Sequence, residues 1–483
     1  MKLKRLSVIC TLIALVFSNS VFAQEEEKSN EYLYMDRIFG HASELYLDET
    51  ITKEQILEMA LDKYLSETPG AVEEILKAGF SSLDEYTEFY TPDEYMNYVN
   101  NVNHTFYGIG VIIEKQGDYV EIKQVLEDGS AFLSGVQVGD KISKVNGIDM
   151  KGRTIDEVQS YVVGELNSLV DITFLRGDEE ILITLIRRPV NSTTVSYLML
   201  EDNIAYVSMV NFAQNTAKEF ADTLAELDAQ NVKKIILDLR NNPGGYLISA
   251  VEIAEMIVPE GIIVQTMYRQ SENNEIFYST LEEPKYEFIV LVNENTASSS
   301  EILTGAMQDS GIATVIGETT FGKAVIQEMF TLNSGDSFKI TTGRYVTRDG
   351  REINGVGLEP DIEVLNVTEP VDITRYDELV YSSESSIGDF NDNISAIKER
   401  LSVMSYPMSD FDDTFNDELE AYVLDFQINH ELAPTGKLDR ITMVQIENAF
   451  AKTEVLVDNQ LYKAYEYFGG TREGLDEILY SEE

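Results

Sequence analysis

The chain is nearly without cysteine and histidine. Its 483 residues include one cysteine, Cys10, and three histidines, His41, His104 and His430. Cys10 lies in an N-terminal apolar segment, so the rest of the chain has no thiol for a disulfide, for cysteine catalysis or for a thiolate zinc site. Catalysis that depends on histidine would have to use one of these three side chains.

Basic residues are also scarce. The chain has 36 lysines and arginines against 85 aspartates and glutamates, a formal net charge of −49. Such a surface repels phosphate backbones, which argues against nucleic acid as a partner. The acidic residues are spread along the chain rather than gathered in one run, as in a soluble secreted protein, and they identify no partner.

The chain also lacks a long apolar run. The N-terminal apolar stretch, Leu6 to Phe17, is shorter than the ~20 residues that a membrane-spanning helix needs. It follows the basic start MKLKR and precedes Val21 and Ala23, which are spaced as in an A-x-A cleavage site. This pattern predicts a secretory signal peptide, cleaved near Ala23, and an extracytoplasmic protein. A signal retained as an anchor is the alternative.

The length predicts three or four domains at roughly 150 residues each, and 43% hydrophobic residues suffice for packed cores. Alternation of strand and helix patterns predicts an α/β multidomain fold. We expect a signal peptide at 1–23, a helical segment at 24–103, a β unit at 104–190, an α/β region with a mixed sheet at 191–370, a small C-terminal helical unit at 385–452 and an acidic helical tail at 453–483.

The β unit resembles a PDZ domain. Period-two strands, turns at Gly117-Asp118, Gly139-Asp140 and Asn146-Gly147, and a helix at TIDEVQSYVVG follow the loop YGIGV. In a PDZ domain this loop binds a free carboxylate while the peptide adds to the sheet as a strand. The resemblance therefore implies peptide C-terminus binding at Tyr107, Gly108, Ile109 and Gly110. Two glycines alone would mark an ordinary turn.

The C-terminal helical unit carries the run YVLDFQINHELAPTGKLDRIT, with helices expected at 416–428 and 440–451. The run is similar to the AVxxFQxxxxLxxTGxxDxxT pattern of the small peptidoglycan-binding domain. The resemblance makes peptidoglycan a second candidate partner. A plain helical accessory domain is the alternative, and the acidic chain does not favour an anionic wall.

Two segments of the α/β region join a buried strand to a turn or helix. LDLRNNPGG ends in Gly244 and Gly245, whose backbone N–H groups could face a developing oxyanion with no side chain in the way. In LVNENTASSSEILTGAMQ, three serines sit where a strand becomes a helix. Ser298 and Glu301 also have the S-x-x-E spacing of a helix cap, and the local sequence does not rank the serines.

A third segment, ETTFGKAVIQEMF, contains Lys323 in an apolar setting and Gln327 four residues later. This spacing predicts that the two side chains lie on the same side of a strand or helix. Lysine can serve as a base if burial lowers its pKa from ~10.4 to about 7–8. No histidine lies in the α/β region, so a Ser-His-Asp triad would need a residue from another domain.

Together, the order of LDLRNNPGG, TASSSEI, TFGKAVIQ and TTGRYVTRDGREINGVGLEPDI after a PDZ-like unit resembles the carboxyl-terminal processing (tail-specific) proteases, over about residues 30 to 450. The resemblance implies a serine endopeptidase without metal or organic cofactor. It names Ser298 as nucleophile, Lys323 as base, Gln327 as the residue that orients the base, and backbone N–H groups of Gly244 or Gly245 and Ser299 as the oxyanion hole.

The implied partners are proteins or peptides with free C-termini. Thr296 and Ser299 replace a serine and an alanine of the family motif, and Ala324-Val325-Ile326 replaces a Gly-Ser-Val run, which leaves the nucleophile and base in place. The alternative function is a non-catalytic PDZ or cell-wall scaffold or adaptor of the envelope. The N- and C-terminal helical parts are candidates for homo-oligomer contacts.

Overall fold

The computed structural model describes residues 30–45, 47, 50–126, 129–177, 179–200, 203–381, 384–408 and 410–480. The predicted signal peptide, with Cys10 and the cleavage site near Ala23, lies outside the described residues. The chain divides into two compact units, Met1–Thr91 and Pro92–Glu483.

The first unit is mostly helical. Its elements are α1 (Asn30–Leu45), α2 (Lys53–Glu67), α3 (Ala71–Ser81) and the short strand β1 (Glu88–Tyr90). A reciprocal capping box starts α2, because the Thr52 side chain accepts from the Gln55 N–H and the Gln55 side chain accepts from the Thr52 N–H.

The second unit begins with α4 and continues into the PDZ-like unit. Its elements are α4 (Pro92–Val102), β2 (Thr105–Gly108), β3 (Val111–Gln116), β4 (Tyr119–Val125), α5 (Ser130–Leu133), β5 (Lys141–Val145), β6 (Ile148–Asp149), α6 (Ile155–Val162), β7 (Leu169–Arg176), β8 (Glu179–Ile186) and β9 (Arg188–Asn191). Antiparallel strands follow the order β3-β4-β5-β7-β8, with β6 beside β5. The entry strand β2 pairs with the exit strand β9.

The α/β region contains a mixed sheet in the order β10-β11-β12-β15-β16-β19. Its elements are β10 (Val195–Met199), β11 (Ile204–Met209), α7 (Thr216–Ala229), β12 (Lys234–Asp238), α8 (Leu247–Ile257), β15 (Glu287–Val292), α9 (Ser299–Asp309), β16 (Ala313–Gly317) and β19 (Ile362–Glu363). β10 runs antiparallel to β11, and each later pair is parallel.

Both faces of this sheet are buried. On β12, Ile235 and Leu237 pack into the cluster formed with α7, α8 and α9, while Ile236 packs into a second cluster on the opposite face. Alternation of side chains along a strand explains this division, and burial on both faces explains why the strand reads as a continuous apolar run.

A second, antiparallel sheet contains the strand that follows Lys323. Its strands include β13 (Gly261–Tyr268), β14 (Glu275–Ser279), β17 (Val325–Thr331) and β18 (Ser337–Thr347). β18 pairs with both β13 and β17, and β13 pairs with β14.

The last part of the chain contains the C-terminal helical unit and the tail. Its elements are β20 (Val367–Pro370), α10 (Asp392–Val403), α11 (Asp417–Asn429), α12 (Arg440–Phe450), β21 (Glu454–Val457), α13 (Asn459–Tyr467) and α14 (Arg472–Tyr480). The tail, which we predicted to be helical, begins with a strand, because β21 pairs antiparallel with β20.

The predicted fold class is confirmed: the chain combines a helical start, a PDZ-like β unit, an α/β region with a mixed sheet and a C-terminal helical unit. Within the described ranges, no helix is both long and apolar enough to span a bilayer.

Candidate active site

The three serines occupy the joint between β15 and α9. Ser298 has φ 56° and ψ −117°, a conformation that costs a non-glycine residue of order 1–3 kcal/mol. Ser299 and Ser300 are buried, and their hydroxyl groups donate to the carbonyl oxygens of Gly245 and Asn242, each at 3.0 Å. Ser298 is half-buried. A strained serine on a strand-to-helix turn is the arrangement in which hydrolases expose a nucleophile.

The glycine turn after β12 lies against this joint. Gly244 and Gly245 have φ values of 97° and 146°. A Cβ atom on Gly244 would lie 2.8 Å from the Ser298 Cβ and 2.9 Å from the Ser299 nitrogen. The turn therefore approaches the serines closely because it carries no side chain there.

Asn242 holds the glycine turn and the serine joint together. Its buried side chain donates from Nδ2 to the Met209 carbonyl at 2.7 Å and accepts the Gly244 N–H at 2.9 Å. Its own carbonyl accepts the Ala297 N–H at 3.0 Å. Of the two glycines implied for an oxyanion hole, Gly244 therefore already uses its N–H.

Two other backbone donors face no acceptor in the described part of the chain: the N–H groups of Gly245 and Ser299. Ser299 is the first residue of α9, where a backbone N–H has no intrahelical partner and the helix end carries positive partial charge. The pair has the chemistry of an oxyanion hole.

Glu301 connects the turn that carries the three serines, Ser298 to Ser300, with the segment that contains Lys323. Its fully buried carboxylate accepts four hydrogen bonds: from the Ser298 N–H (2.9 Å), the Thr320 hydroxyl (2.5 Å), the Gly322 N–H (2.7 Å) and the Lys323 N–H (2.8 Å). A buried carboxylate requires such donors. The same oxygen, Oε2, accepts the N–H groups of Ser298 and Lys323.

Tyr345 on β18 makes a matching connection through the carbonyl groups. Its hydroxyl oxygen lies 2.8 Å from the Lys323 carbonyl oxygen and 3.0 Å from the Ser298 carbonyl oxygen, so its one proton is shared between the two acceptors. Burial, followed by the charge of Glu301, raises the pKa of Tyr345 well above its usual range, so the hydroxyl remains a donor. Ser298 and Lys323 thus share one acceptor for their N–H groups and one donor for their carbonyl groups.

Gln327 lies on β17, with its Nε2 donating to the Thr341 hydroxyl at 3.2 Å. Lys323 precedes β17, and the pairing of β17 with β18 shifts register between Ile326 and Gln327. The extra residue of this bulge, Thr342, lies on β18, so the alternation along β17 is not interrupted, and the expectation that Lys323 and Gln327 share a side stays a prediction.

The predicted carboxylate loop of the PDZ-like unit is built on two glycines. Gly108 pairs with Arg188 across β2 and β9, and Gly110 has φ 78°. A Cβ atom on Gly110 would lie 2.4 Å from the Gly129 Cα, so only glycine fits. Ile109 is buried, and its carbonyl accepts the Ala131 N–H at 2.9 Å.

The strand after this loop has an open edge. Among the described strands, β3 pairs with β4 and with no other. Tyr107, at the start of the loop, is tied to α4 by a hydrogen bond from the Asn100 amide to its hydroxyl. A loop beside an open strand edge can accept an extended peptide.

Sequence patterns missed the roles of Glu301, Tyr345 and Asn242. The S-x-x-E spacing predicted that Glu301 starts the helix. This role explains its hydrogen bond with Ser298 but not its hydrogen bonds with Thr320, Gly322 and Lys323. No local pattern pointed to Tyr345 or Asn242. Over the described residues, no cluster of histidine, cysteine, aspartate and glutamate has the arrangement of a metal site.

Comparisons with known proteins cover most of the chain. A profile of peptidase family S41 matches residues 203–364, a PDZ domain profile matches residues 121–176, and a peptidoglycan binding domain profile matches residues 391–446. A Staphylococcus aureus (strain bovine RF122 / ET3-1) protein named "Probable CtpA-like serine protease" is 32% identical over 381 residues, which are 78% of this chain and 74% of that protein.

A protein of the same name from Staphylococcus haemolyticus (strain JCSC1435) is 31% identical over 382 residues, 77% of this chain and 76% of its own. Among solved structures, the photosystem II D1 C-terminal processing protease is 26% identical, with a TM-score of 0.40 over 70% of this chain and 94% of that chain.

Proposed function

Because this chain belongs to peptidase family S41, the family of the CtpA-like serine proteases, we propose that it is an extracytoplasmic serine endopeptidase with Ser298 as nucleophile and Lys323 as general base. The main support for the proposal is that Glu301 and Tyr345 each bind the backbone of both Ser298 and Lys323. Glu301 accepts both N–H groups and Tyr345 donates to both carbonyl groups. A nucleophile and its base need such a fixed relation.

In the proposed mechanism, uncharged Lys323 accepts the Ser298 proton as the Ser298 Oγ attacks the carbonyl carbon of the scissile bond. The tetrahedral intermediate then collapses to an acyl-enzyme, and the lysine ammonium gives its proton to the departing amine. Water next loses a proton to Lys323 and attacks the ester, and as the second product leaves, the lysine ammonium returns that proton to the Ser298 Oγ. Gln327 orients the lysine.

The oxyanion of the tetrahedral intermediate is stabilised by the N–H groups of Gly245 and Ser299. Both donors belong to rigid backbone, so they need no reorganisation when charge develops. Gly244 does not donate to the oxyanion, because its N–H is bonded to Asn242. Its lack of a side chain leaves room beside Ser298.

Substrates are selected by their free C-termini at the loop Tyr107 to Gly110. The peptide adds as a strand beside β3, and its carboxylate faces the loop. The PDZ domain match supports this role. The signal peptide directs the enzyme out of the cytoplasm, and the helical unit matched by the peptidoglycan-binding profile holds it near the wall.

The test is cleavage of an unfolded model protein with an apolar C-terminal tail, together with labelling by a fluorophosphonate. We expect mass spectrometry to find the label on Ser298 in the parent, and Ser298→Ala and Lys323→Ala to abolish cleavage. The adjacent serines supply the control: Ser299→Ala and Ser300→Ala keep the backbone N–H groups and should retain activity within about tenfold. Label on Ser299 or Ser300, or cleavage by Ser298→Ala, would contradict the assignment.

Binding to purified peptidoglycan tests the localisation role separately. The parent should sediment with cell wall, and a protein with residues 385–452 altered at exposed positions of α11 and α12 should not. Equal sedimentation of both proteins would assign this unit a purely structural role.

A further inference from the structure

The segment after the C-terminal helical unit returns to the α/β region. β21 pairs with β20 in the register Val367↔Val457 to Pro370↔Glu454. The chain therefore leaves the α/β region after β20, forms the helical unit and comes back beside its point of exit. None of the three matched profiles includes residues 454–480.

Helices α13 and α14 cover the face of the mixed sheet that α7, α8 and α9 leave open. Their apolar side chains form one buried cluster with side chains from β11, β12, β15 and β16. The cluster includes Leu461, Ala464, Tyr465 and Leu475 from the helices, Phe468 from the turn after α13, and Ile236, Ile289, Leu291 and Ile316 from the sheet. In addition, the Lys234 ammonium donates to the Phe468 carbonyl at 2.8 Å.

The first residue of this helical segment binds the arginine that precedes the glycine turn. Asp458 caps α13 by accepting the Leu461 N–H at 3.0 Å, and it accepts two hydrogen bonds from Arg240, at 2.6 and 2.8 Å. Arg240 also binds Asp238 at the end of β12. Burial alone would raise the pKa of the Asp458 carboxyl, but the hydrogen bonds and charge of Arg240 outweigh it and lower that pKa.

Gln460 extends the same contact to the second active-site loop. Gln460 is 1% exposed, and its side chain accepts from Arg240 at 3.1 Å and donates to the Glu318 carboxylate at 3.2 Å and to the Val364 carbonyl at 2.9 Å. Glu318 begins the loop that ends at Lys323. The start of α13 thus contacts residues leading into both the glycine turn and the lysine loop.

We propose that Asp458 and Gln460 are positioning residues of the active site, and that residues 454–480 are a part of the catalytic unit rather than an appended tail. This inference rests on the proposed function of Ser298 and Lys323. Asp458 fixes Arg240, which fixes the backbone from which Gly245 presents its N–H. A shift of this turn weakens the oxyanion contact without touching the substrate.

The test uses Asp458→Asn and Asp458→Ser in the full chain. Both replacements are good helix caps, so α13 keeps its start while the ion pair with Arg240 is lost. We expect kcat to fall about tenfold for Asp458→Asn and further for Asp458→Ser, with KM unchanged. Affinity for a peptide aldehyde, which forms a tetrahedral adduct, should fall by the same factor as kcat, while affinity for the product peptide stays constant.

Asp439→Asn is the matched control. Asp439 caps α12 through the Thr442 N–H at 2.7 Å, as Asp458 caps α13, but its cap lies in the helical unit. It should lower neither kcat nor aldehyde affinity. Equal kcat for Asp458→Ser and the parent would overturn the inference, as would a loss of aldehyde and product affinity in parallel. If instead the parent is not acylated at Ser298, the proposed function itself fails.

If the Asp458 variants do not fold, Gln460→Met tests the same inference. It keeps the size of a buried side chain and removes the contacts with Arg240 and Glu318. The expected result is again a fall in kcat and aldehyde affinity at constant KM, and unchanged kcat would overturn the inference.

Discussion

At the residue scale, Ser298 differs from its two neighbours in backbone conformation. Its positive φ is unfavourable for serine, and it persists because Glu301 binds its N–H and Tyr345 binds its carbonyl. Ser299 and Ser300 donate their hydroxyl protons to the facing turn. The backbone strain and the two anchors support the proposal that Ser298, and not Ser299 or Ser300, is the nucleophile.

Tyr345→Phe should lower kcat about tenfold and leave KM unchanged. The substitution keeps the buried ring and removes the donor shared by the Ser298 and Lys323 carbonyl groups, so the two residues lose part of their fixed relation. Loss of the hydroxyl donor should also cost about 1 kcal/mol of unfolding free energy, although the Ser298 carbonyl keeps the N–H donors of Glu301 and Ile302. Steady-state kinetics and urea unfolding measure the two effects.

Tyr286→Phe controls for the loss of a buried hydroxyl. Tyr286 donates to the Leu224 carbonyl at 3.2 Å and to Asp228 at 2.7 Å, far along the chain from the serine joint. This variant should lose stability and keep kcat. A kcat for Tyr345→Phe equal to that of Tyr286→Phe would show that the shared donor is dispensable.

The local sequence predicted part of the Glu301 environment. The S-x-x-E spacing led to the Ser298 N–H as its partner, which is a contact three residues apart. Its remaining donors, Thr320, Gly322 and Lys323, come 19 to 22 residues later in the chain. Periodicity and capping rules describe neighbours along one element, so they cannot show which distant loop brings its N–H groups to a buried carboxylate.

At the element scale, the glycine turn after β12 works through close approach. Gly244→Ala should abolish acylation by a fluorophosphonate, because the new Cβ would lie 2.8 Å from both the Ser298 Cβ and the Ala297 carbonyl oxygen. Labelling followed by mass spectrometry measures the loss.

Gly350→Ala separates backbone strain from this steric conflict. Gly350 has a comparable φ of 80°, and a Cβ there meets no atom within 4 Å. It should lose stability by about 1 kcal/mol and keep its labelling rate. Loss of labelling in both variants would mean that general destabilisation, rather than contact with Ser298, explains the Gly244→Ala result.

The PDZ-like loop offers a second test at this scale. Gly110→Ala would force a Cβ to 2.4 Å from the Gly129 Cα and distort the loop at Tyr107 to Gly110. We expect KM for a tailed protein substrate to rise about tenfold or more, with the fluorophosphonate labelling rate unchanged. Gly117→Ala, with φ 58° and open space around its Cβ in the same unit, should leave KM as in the parent.

Strand and helix patterns predicted the mixed sheet well because β12 and β15 are buried on both faces and read as unbroken apolar runs. They did not predict the bulge beside β17, where Thr342 of β18 lies between the partners of Ile326 and Gln327. A bulge depends on how two strands pair, and the sequence of one strand does not encode the register of its partner.

At the scale of the whole molecule, α13 and α14 lie far from the mixed sheet along the chain but pack against it in space. The sequence predicted an acidic helical tail at 453–483, beyond the helical unit, and named no packing partner for it. The structure supplies the partner: the open face of the mixed sheet, reached through the β20–β21 pair. Only a tertiary contact could reveal this, because the sheet and the helices are separated by the whole helical unit.

This arrangement predicts that removing the middle of the C-terminal region is less harmful than removing its end. The Val371 N–H donates to the Thr453 carbonyl at 2.9 Å, so the two residues are adjacent where the helical unit joins the β20–β21 pair. Replacing residues 372–452 with Asn-Gly gives a two-residue hairpin between them, a turn suited to antiparallel strands. The shortened protein should fold and label at Ser298 at a rate within about threefold of the parent.

Truncation after Thr453 removes fewer residues and should do more damage. It exposes the sheet face around Ile236, Ile289 and Leu291 and deletes Asp458 from its contact with Arg240. Loss of burial at about 2 kcal/mol for each large apolar side chain of α13 and α14 exceeds the margin by which most domains are stable. We expect an aggregated protein without labelling. An active truncated protein beside an inactive internal deletion would show that the helical unit, and not residues 454–480, completes the catalytic unit.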